Sequence, residues 1–227
     1  NRVPVFTNVK DENGNYIYQH TKEPIEVEST DIVEYTIRVY NEGDIAGYAK
    51  EVKDDIPEGL EFLPEHNTNT EYRWIMLDES GNKTTDVSKA KYITTDYLSK
   101  EQEKTSGENL IKPFDSTRTS PDFKEVKVAF KVVASNTYDG IITNIAEISD
   151  DSDENGNKVN DKDSTPNNDN PKEDDRDVEH IRLSYFDLAL RKFITAVNDK
   201  EITDRVPKFK IDENGQYVYE HTKEPVE

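Results

Sequence analysis

The sequence predicts an all-β sandwich, and three observations carry that prediction. Alternating apolar and polar stretches recur along the chain, glycine turns separate them, and only Ser99–Lys104 has the look of a short helical turn. Val33, Tyr35, Ile37 and Val39 alternate with Glu34, Thr36, Arg38 and Tyr40, as a half-buried strand requires. Tyr72–Leu77 and Lys91–Tyr97 are two further strand candidates. Val126, Val128, Phe130 and Val132 then alternate with Lys127, Ala129, Lys131 and Val133. The turns are Asn13-Gly14, Glu42-Gly43, Ser80-Gly81, Asp139-Gly140 and Asn214-Gly215, where glycine tolerates a positive φ. Many short strands with few helices bury their apolar faces best as two packed sheets.

Composition narrows the function classes. The 227 residues are 32% hydrophobic and 34% charged, with 12 Tyr and 8 Phe available to fill a core. The net charge of −20 repels nucleic acid and anionic membranes, so neither is an expected partner. No apolar run is long enough to span a bilayer. The chain has no Cys, which excludes disulfides, thiolate zinc sites and cysteine catalysis. It opens without Met or a visible signal peptide and reads as a piece excised from a longer protein.

A long internal repeat sets the organisation. Residues 11–26 read DENGNYIYQHTKEPIE and residues 212–227 read DENGQYVYEHTKEPVE, with 12 of the 16 positions identical. Arg2-Val3-Pro4 returns as Arg205-Val206-Pro207, so the offset is 201 to 203 residues. A period that long suits whole domains in tandem rather than solenoid units. Residues 1–149 read as one sandwich repeat, cut so that its first strand is missing. Residues 150–180, rich in Asp and Asn, read as an acidic connector unable to bury a core. Residues 181–227 read as the opening strands of the next repeat. The alternation slips at Tyr185-Phe186-Asp187, and a new inward set follows: Leu188, Leu190, Lys192 and Ile194.

Three polar residues fall on apolar faces. Lys192 is in step with Leu188, Leu190 and Ile194; Asn144 with Ile142, Ala146 and Ile148; Asp54 with Val52 and Ile56. Each has an ordinary explanation: a snorkelling strand-end lysine, an asparagine bonded to backbone at a bulge, a carboxylate capping the turn at Pro57-Glu58-Gly59. They also have a joint one. In an apolar pocket a lysine loses its proton more easily and an aspartic acid keeps one. A neutral amine is a nucleophile, and an adjacent carboxyl can polarise the Asn carbonyl and shuttle protons, leaving an amide cross-link and free ammonia.

Four motifs add a resemblance. DLALRKFIT (187–195), DIVEYTIRVYNEG (31–43), VKDDIPEGLEFLP (52–64) and ITNIAEIS (142–149) resemble repeat domains of Gram-positive bacterial surface proteins. Those are the immunoglobulin-like β-sandwich domains of adhesins and pilins that form intramolecular Lys–Asn isopeptide bonds. The resemblance covers most of the chain outside the acidic connector. It implies Lys192 as the amine, Asn144 as the acyl donor and Asp54 as the proton-shuttling acid, with Asp55 the alternative acid on an outward phase. In the family the lysine precedes its asparagine within one domain, whereas here Lys192 follows Asn144. Lys192 could therefore serve the same chain, a neighbouring molecule through strand exchange, or the next repeat.

The spacing Asp151, Asp153, Asn155, Gly156, Asn157 has the pattern of a calcium loop, with Asp161 and Asp163 beside it. The glutamate expected at the twelfth position is absent, Lys162 standing there, so the expectation is an irregular calcium site; the alternative is a solvated acidic linker with a turn. His20, His66, His180 and His221 show no zinc spacing, and Trp74 reads as core. No enzyme motif is present, and the only expected chemistry is self-directed. The first function reading is a structural stalk or spacer repeat of an extracellular, wall-attached protein or fibre. The second is an adhesin module for a host protein or glycan. The third is an accessory sandwich of a glycosidase, for which the fragment offers no catalytic neighbour. Near-verbatim repetition favours the first, because arrays supply length.

Overall fold

The computed structural model describes residues 2–12, 14–115, 117, 119–133, 140–184 and 188–226. Asn13, Asp139 and the phase slip at Tyr185-Phe186-Asp187 lie outside the described residues. The chain divides into a unit of residues 1–185 and a unit of residues 186–227.

In the first unit the strands in chain order are β1 (Val5–Lys10), β2 (Tyr16–Gln19), β3 (Ile25–Val27), β4 (Ile32–Asn41), β5 (Gly47–Asp55) and β6 (Leu60–Phe62). Then follow β7 (Ile75–Leu77), β8 (Lys83–Thr84), β9 (Tyr92–Thr95), β10 (Asp122–Val132), β11 (Ile141–Asp153) and β12 (Arg176–Leu183). β1 and β2 pair as a hairpin, and the rest form a three-stranded sheet, β4-β10-β6, and a seven-stranded sheet, β3-β12-β11-β5-β9-β7-β8. The fold is the all-β sandwich that the alternation predicts. Its core lies where the inward sets meet: Val126, Val128, Phe130 and Val132 of β10 pack with Val52, Ile93, Ile142 and Ile181. Each such side chain contributes about 1.5–3 kcal/mol by leaving water. Trp74 belongs to this core, with Nε1 donating to the Lys127 carbonyl at 2.7 Å.

Two backbone features fix the β5 region that carries Asp54. A Cβ at Gly47 would meet the Ser152 carbonyl oxygen at 2.8 Å, so only glycine lets β5 approach β11 there. Gly59 ends the turn after β5 at φ 93°, a conformation that an L side chain resists.

Two elements differ from the sequence expectation, and the expected helical turn is present. Asn67–Glu71 forms a short helix, α1, capped by His66 Nδ1 accepting from the Thr68 N–H at 3.3 Å. It has no apolar period to announce it. The helical turn expected at 99–104 is a 3-10 turn over Lys100–Gln102. The acidic stretch expected as a connector over 150–180 has strand at both ends. Residues 150–153 continue β11, and β12 pairs antiparallel with β11 from Ile141↔Arg182 to Glu147↔Arg176. Between them, residues 154–175 return along β11, where Ile148 donates to the Asp175 carbonyl and Asn167 to the Ile148 carbonyl.

The second unit holds two hairpins: β13 (Ala196–Val197) with β14 (Lys200–Glu201), and β15 (Lys208–Ile211) with β16 (Tyr217–Glu220). The strand expected over Leu188–Ile194 is absent: residues 188–195 belong to no strand and Lys192 is exposed rather than inward. Strands of two to four residues offer no sheet face on which such a segment could bury its leucines.

Candidate functional site

Asp54 and Asn144 meet in the core face of the larger sheet. Asp54 stands opposite Ala146 across β5 and β11, so Asn144, two residues along β11, is its diagonal neighbour on the same face. Asp54 is fully buried and Asn144 is 4% exposed. Asn144 Nδ2 donates to Asp54 Oδ1 at 2.7 Å and to the Asp55 carbonyl at 2.9 Å. A backbone carbonyl only accepts, so the second bond fixes which end of the amide is nitrogen. Asp54 Oδ2 has no hydrogen-bond partner among the described residues.

Burial holds the Asp54 carboxyl well above the usual carboxylate range; the bond from Asn144 opposes this, and the nearby Asp55 reinforces it. When Asp54 is protonated, Oδ2 carries the proton, because Oδ1 accepts from the nitrogen that must leave if Asn144 is attacked. The orientation shifts the expected role of the acid. Asp54 faces the amide nitrogen, so it is placed to protonate the leaving group rather than to polarise the carbonyl. Asp55, the alternative acid, contributes its backbone carbonyl to the site, and burial raises its carboxyl pKa more modestly.

Asn144 lines an open cleft of about 1600 Å³ in the first unit. One wall is β4, whose inward Val33, Tyr35 and Ile37 are only half buried; the other is formed by β11 and β12. Arg2, Tyr18 and Lys22 of the opening segment also line it. Lys192 lies in the other unit, where its backbone carbonyl accepts from Lys223 Nζ at 3.3 Å. Within the first unit, then, the structure brings together two members of the expected triad. No family model matches the sequence, and no curated protein matches it.

Of the residues expected at a calcium loop, Asp153, Asn155, Asn157, Asp161 and Asp163 bond to one another locally. Asp153 Oδ1 accepts from the Asn155 and Asn157 N–H groups at 2.8 Å each, closing the turn at Gly156, and Asp161 Oδ1 accepts from the Asp163 N–H at 3.2 Å. Among the described residues no group of three acidic or histidine side chains is arranged to hold a metal ion. The histidines are dispersed: His180 Nδ1 contacts Thr143 Oγ1 at 2.9 Å, His66 caps α1, and His20 lines the cleft.

Two buried acids escaped the sequence reading. Glu147 sits on the outward phase of β11, yet it is 3% exposed because the 165–175 loop covers it. Its Oε1 accepts from the Asn168 and Asp169 N–H groups at 2.7 and 2.8 Å, and Lys53 Nζ lies 3.5 Å from Oε2. Asp175 is buried with neither carboxylate oxygen partnered among the described residues, and burial, helped by Glu147 and Glu173, pushes its pKa up to about 7. No sequence signal marks either, since both owe their burial to a segment whose composition reads as solvated.

Proposed function

We propose that the chain is a structural stalk or spacer repeat of an extracellular surface protein or fibre, stabilised by a self-made amide bond between a lysine of the Lys192 type and Asn144. The observation that carries this reading is the buried Asp54–Asn144 pair, with the amide nitrogen held between a carboxyl whose pKa burial raises and a backbone carbonyl. The neutral lysine Nζ attacks Asn144 Cγ, and a new C–N bond forms as the Cγ–Nδ2 bond breaks. Asp54 gives its proton to the departing nitrogen and regains one from the attacking amine. The products are one amide and one ammonia, with no oxidant, reductant or cofactor consumed. Such a bond staples a chain that has no Cys, much as a disulfide would.

Intact mass and peptide mapping test it. An intrachain bond lowers the mass by one ammonia, and an interchain bond gives species that survive boiling in detergent. Asp54→Ala abolishes both while the sandwich still folds, at a cost of roughly 1–3 kcal/mol for the emptied, partly unsatisfied site. Unmodified mass, with no covalent multimer in any preparation that contains both donor strand and acceptor, would sink the bond.

A further inference from the structure

The second unit rebuilds the opening of the first in three dimensions. Arg2 donates to the Glu23 carbonyl, and Arg205 donates to the Glu224 carbonyl. Phe6 packs on Tyr16 and Tyr18, and Phe209 packs on Tyr217 and Tyr219. The first hairpin is two residues longer, and the excess is absorbed by a break in register between Phe6 and Lys10, where Asn8 takes φ 57°. The second hairpin pairs without a break. Tyr18 and Lys22 are therefore the counterparts of Tyr219 and Lys223.

In the second unit these residues hold the 188–195 segment. The Arg191 guanidinium lies 4.6 Å from the centre of the Tyr219 ring, and Lys223 Nζ bonds the Lys192 carbonyl. In the first unit the Tyr18 ring packs tilted on Tyr40 of β4, centres 4.3 Å apart, while Lys22 Nζ bonds Asp177 Oδ2 and the Val178 carbonyl of β12, each at 2.6 Å. One residue stands on each wall of the cleft. A segment held by the first hairpin as 188–195 is held by the second would enter between β4 and β12.

The cleft suits such a segment. β4 pairs with β10 on one edge, and no described strand pairs with its other edge. Its half-exposed inward residues need an apolar cover, while Leu188 and Leu190 are 80% and 82% exposed. Charge matches as well: Arg191 and Lys192 would meet a cleft lined by Glu42, Asp151, Asp163 and Asp174.

We propose that this cleft is a strand-acceptor site, and that its occupant is residues 188–195 of a second copy of the chain, added to the free edge of β4. Donor and acceptor are different surfaces of the chain, so reciprocal exchange closes a dimer and one-way exchange links copies in a row. The covalent consequence rests on the cross-link reading above; the seating of the strand does not.

The test is titration of the 227-residue chain with a labelled synthetic peptide of residues 187–196. Saturable binding is expected, with a covalent adduct that adds the peptide less one ammonia. A peptide carrying Leu190→Asp should bind about tenfold more weakly or worse, because a buried leucine is lost. A peptide carrying Lys192→Met should bind without forming the adduct. Failure of the wild-type peptide to bind a monomeric chain of unmodified mass, or equal binding of the Leu190→Asp peptide, overturns the acceptor site. A chain that has already lost one ammonia and refuses the peptide shows its own segment in the cleft, which overturns the second-copy occupant. Reversible binding of the wild-type peptide with no adduct leaves the acceptor site standing and counts against the cross-link alone.

Discussion

Asp175 and Asp54 are acids that the fold keeps protonated above their ordinary range, and burial is the leading cause in both. The sign of the resulting pH dependence is opposite to that of a salt-bridged carboxylate. With the folded Asp175 near 7 and the unfolded side chain near 3.8, the native state holds the extra proton in between. Its contribution to stability is complete below about pH 4, falls as the pH rises toward 7, and is flat above. Asp175→Asn keeps the shape and removes the titration. The variant should therefore gain on the wild type as the pH rises from 5 to 8, by up to a few kcal/mol at about 1.4 kcal/mol per unit. Urea midpoints of both proteins at the two pH values check this, and a constant difference between them would contradict it. Asn144 and Asp54 were legible because the period-2 pattern assigns each residue to a face, and a polar residue in an inward register stands out. The burial of Asp175 comes from packing against β11, remote in sequence, and no side-chain period reports it.

At the scale of elements, Glu147 decides how the acidic return loop sits on β11. It is a buried acceptor for two consecutive backbone N–H groups, a small anion nest formed by residues 168 and 169. Glu147→Ala removes the acceptor and leaves Lys53 with a weaker local field. The loop should detach while the two sheets persist, at a cost of roughly 1–3 kcal/mol. Limited proteolysis should then cut within residues 154–175 faster than in the wild type; an unchanged cleavage rate would mean that the loop is held by other contacts. The same element shows where sequence reading stopped. Long alternating strands such as β4, β10 and β11 were legible from side-chain period alone. The loop was not, because its anchors are backbone groups, and composition says nothing of those. Nor was α1, whose buried Asn69 bonds the Leu63 and Ala129 carbonyls and the Ala129 N–H in place of an apolar stripe. Lys192 is the converse case: its phase reads as inward, but residues 188–195 form no strand and Lys192 is exposed.

At the scale of the whole molecule, the repeat and the open cleft describe one device. Residues 212–227 match residues 11–26, so joining residue 227 to residue 27 of a second copy preserves the register of the array. In that tandem the 188–195 segment of the first copy precedes the acceptor residues of the second, in the order Lys before Asn that the resemblance implies. Lys192 of the first copy should then bond Asn144 of the second, closing a loop of roughly 150 residues, which chain-entropy reasoning values at about 5 kcal/mol. The first copy keeps an empty cleft and should unfold early, while the second unfolds at distinctly higher denaturant. Two separated transitions and a mass short by one ammonia are expected, and Lys192→Met in the first copy should restore the full mass and bring the transitions together. A tandem whose mass is unmodified, and whose two halves melt together with or without Lys192, would show that the strand order alone does not complete the sandwich.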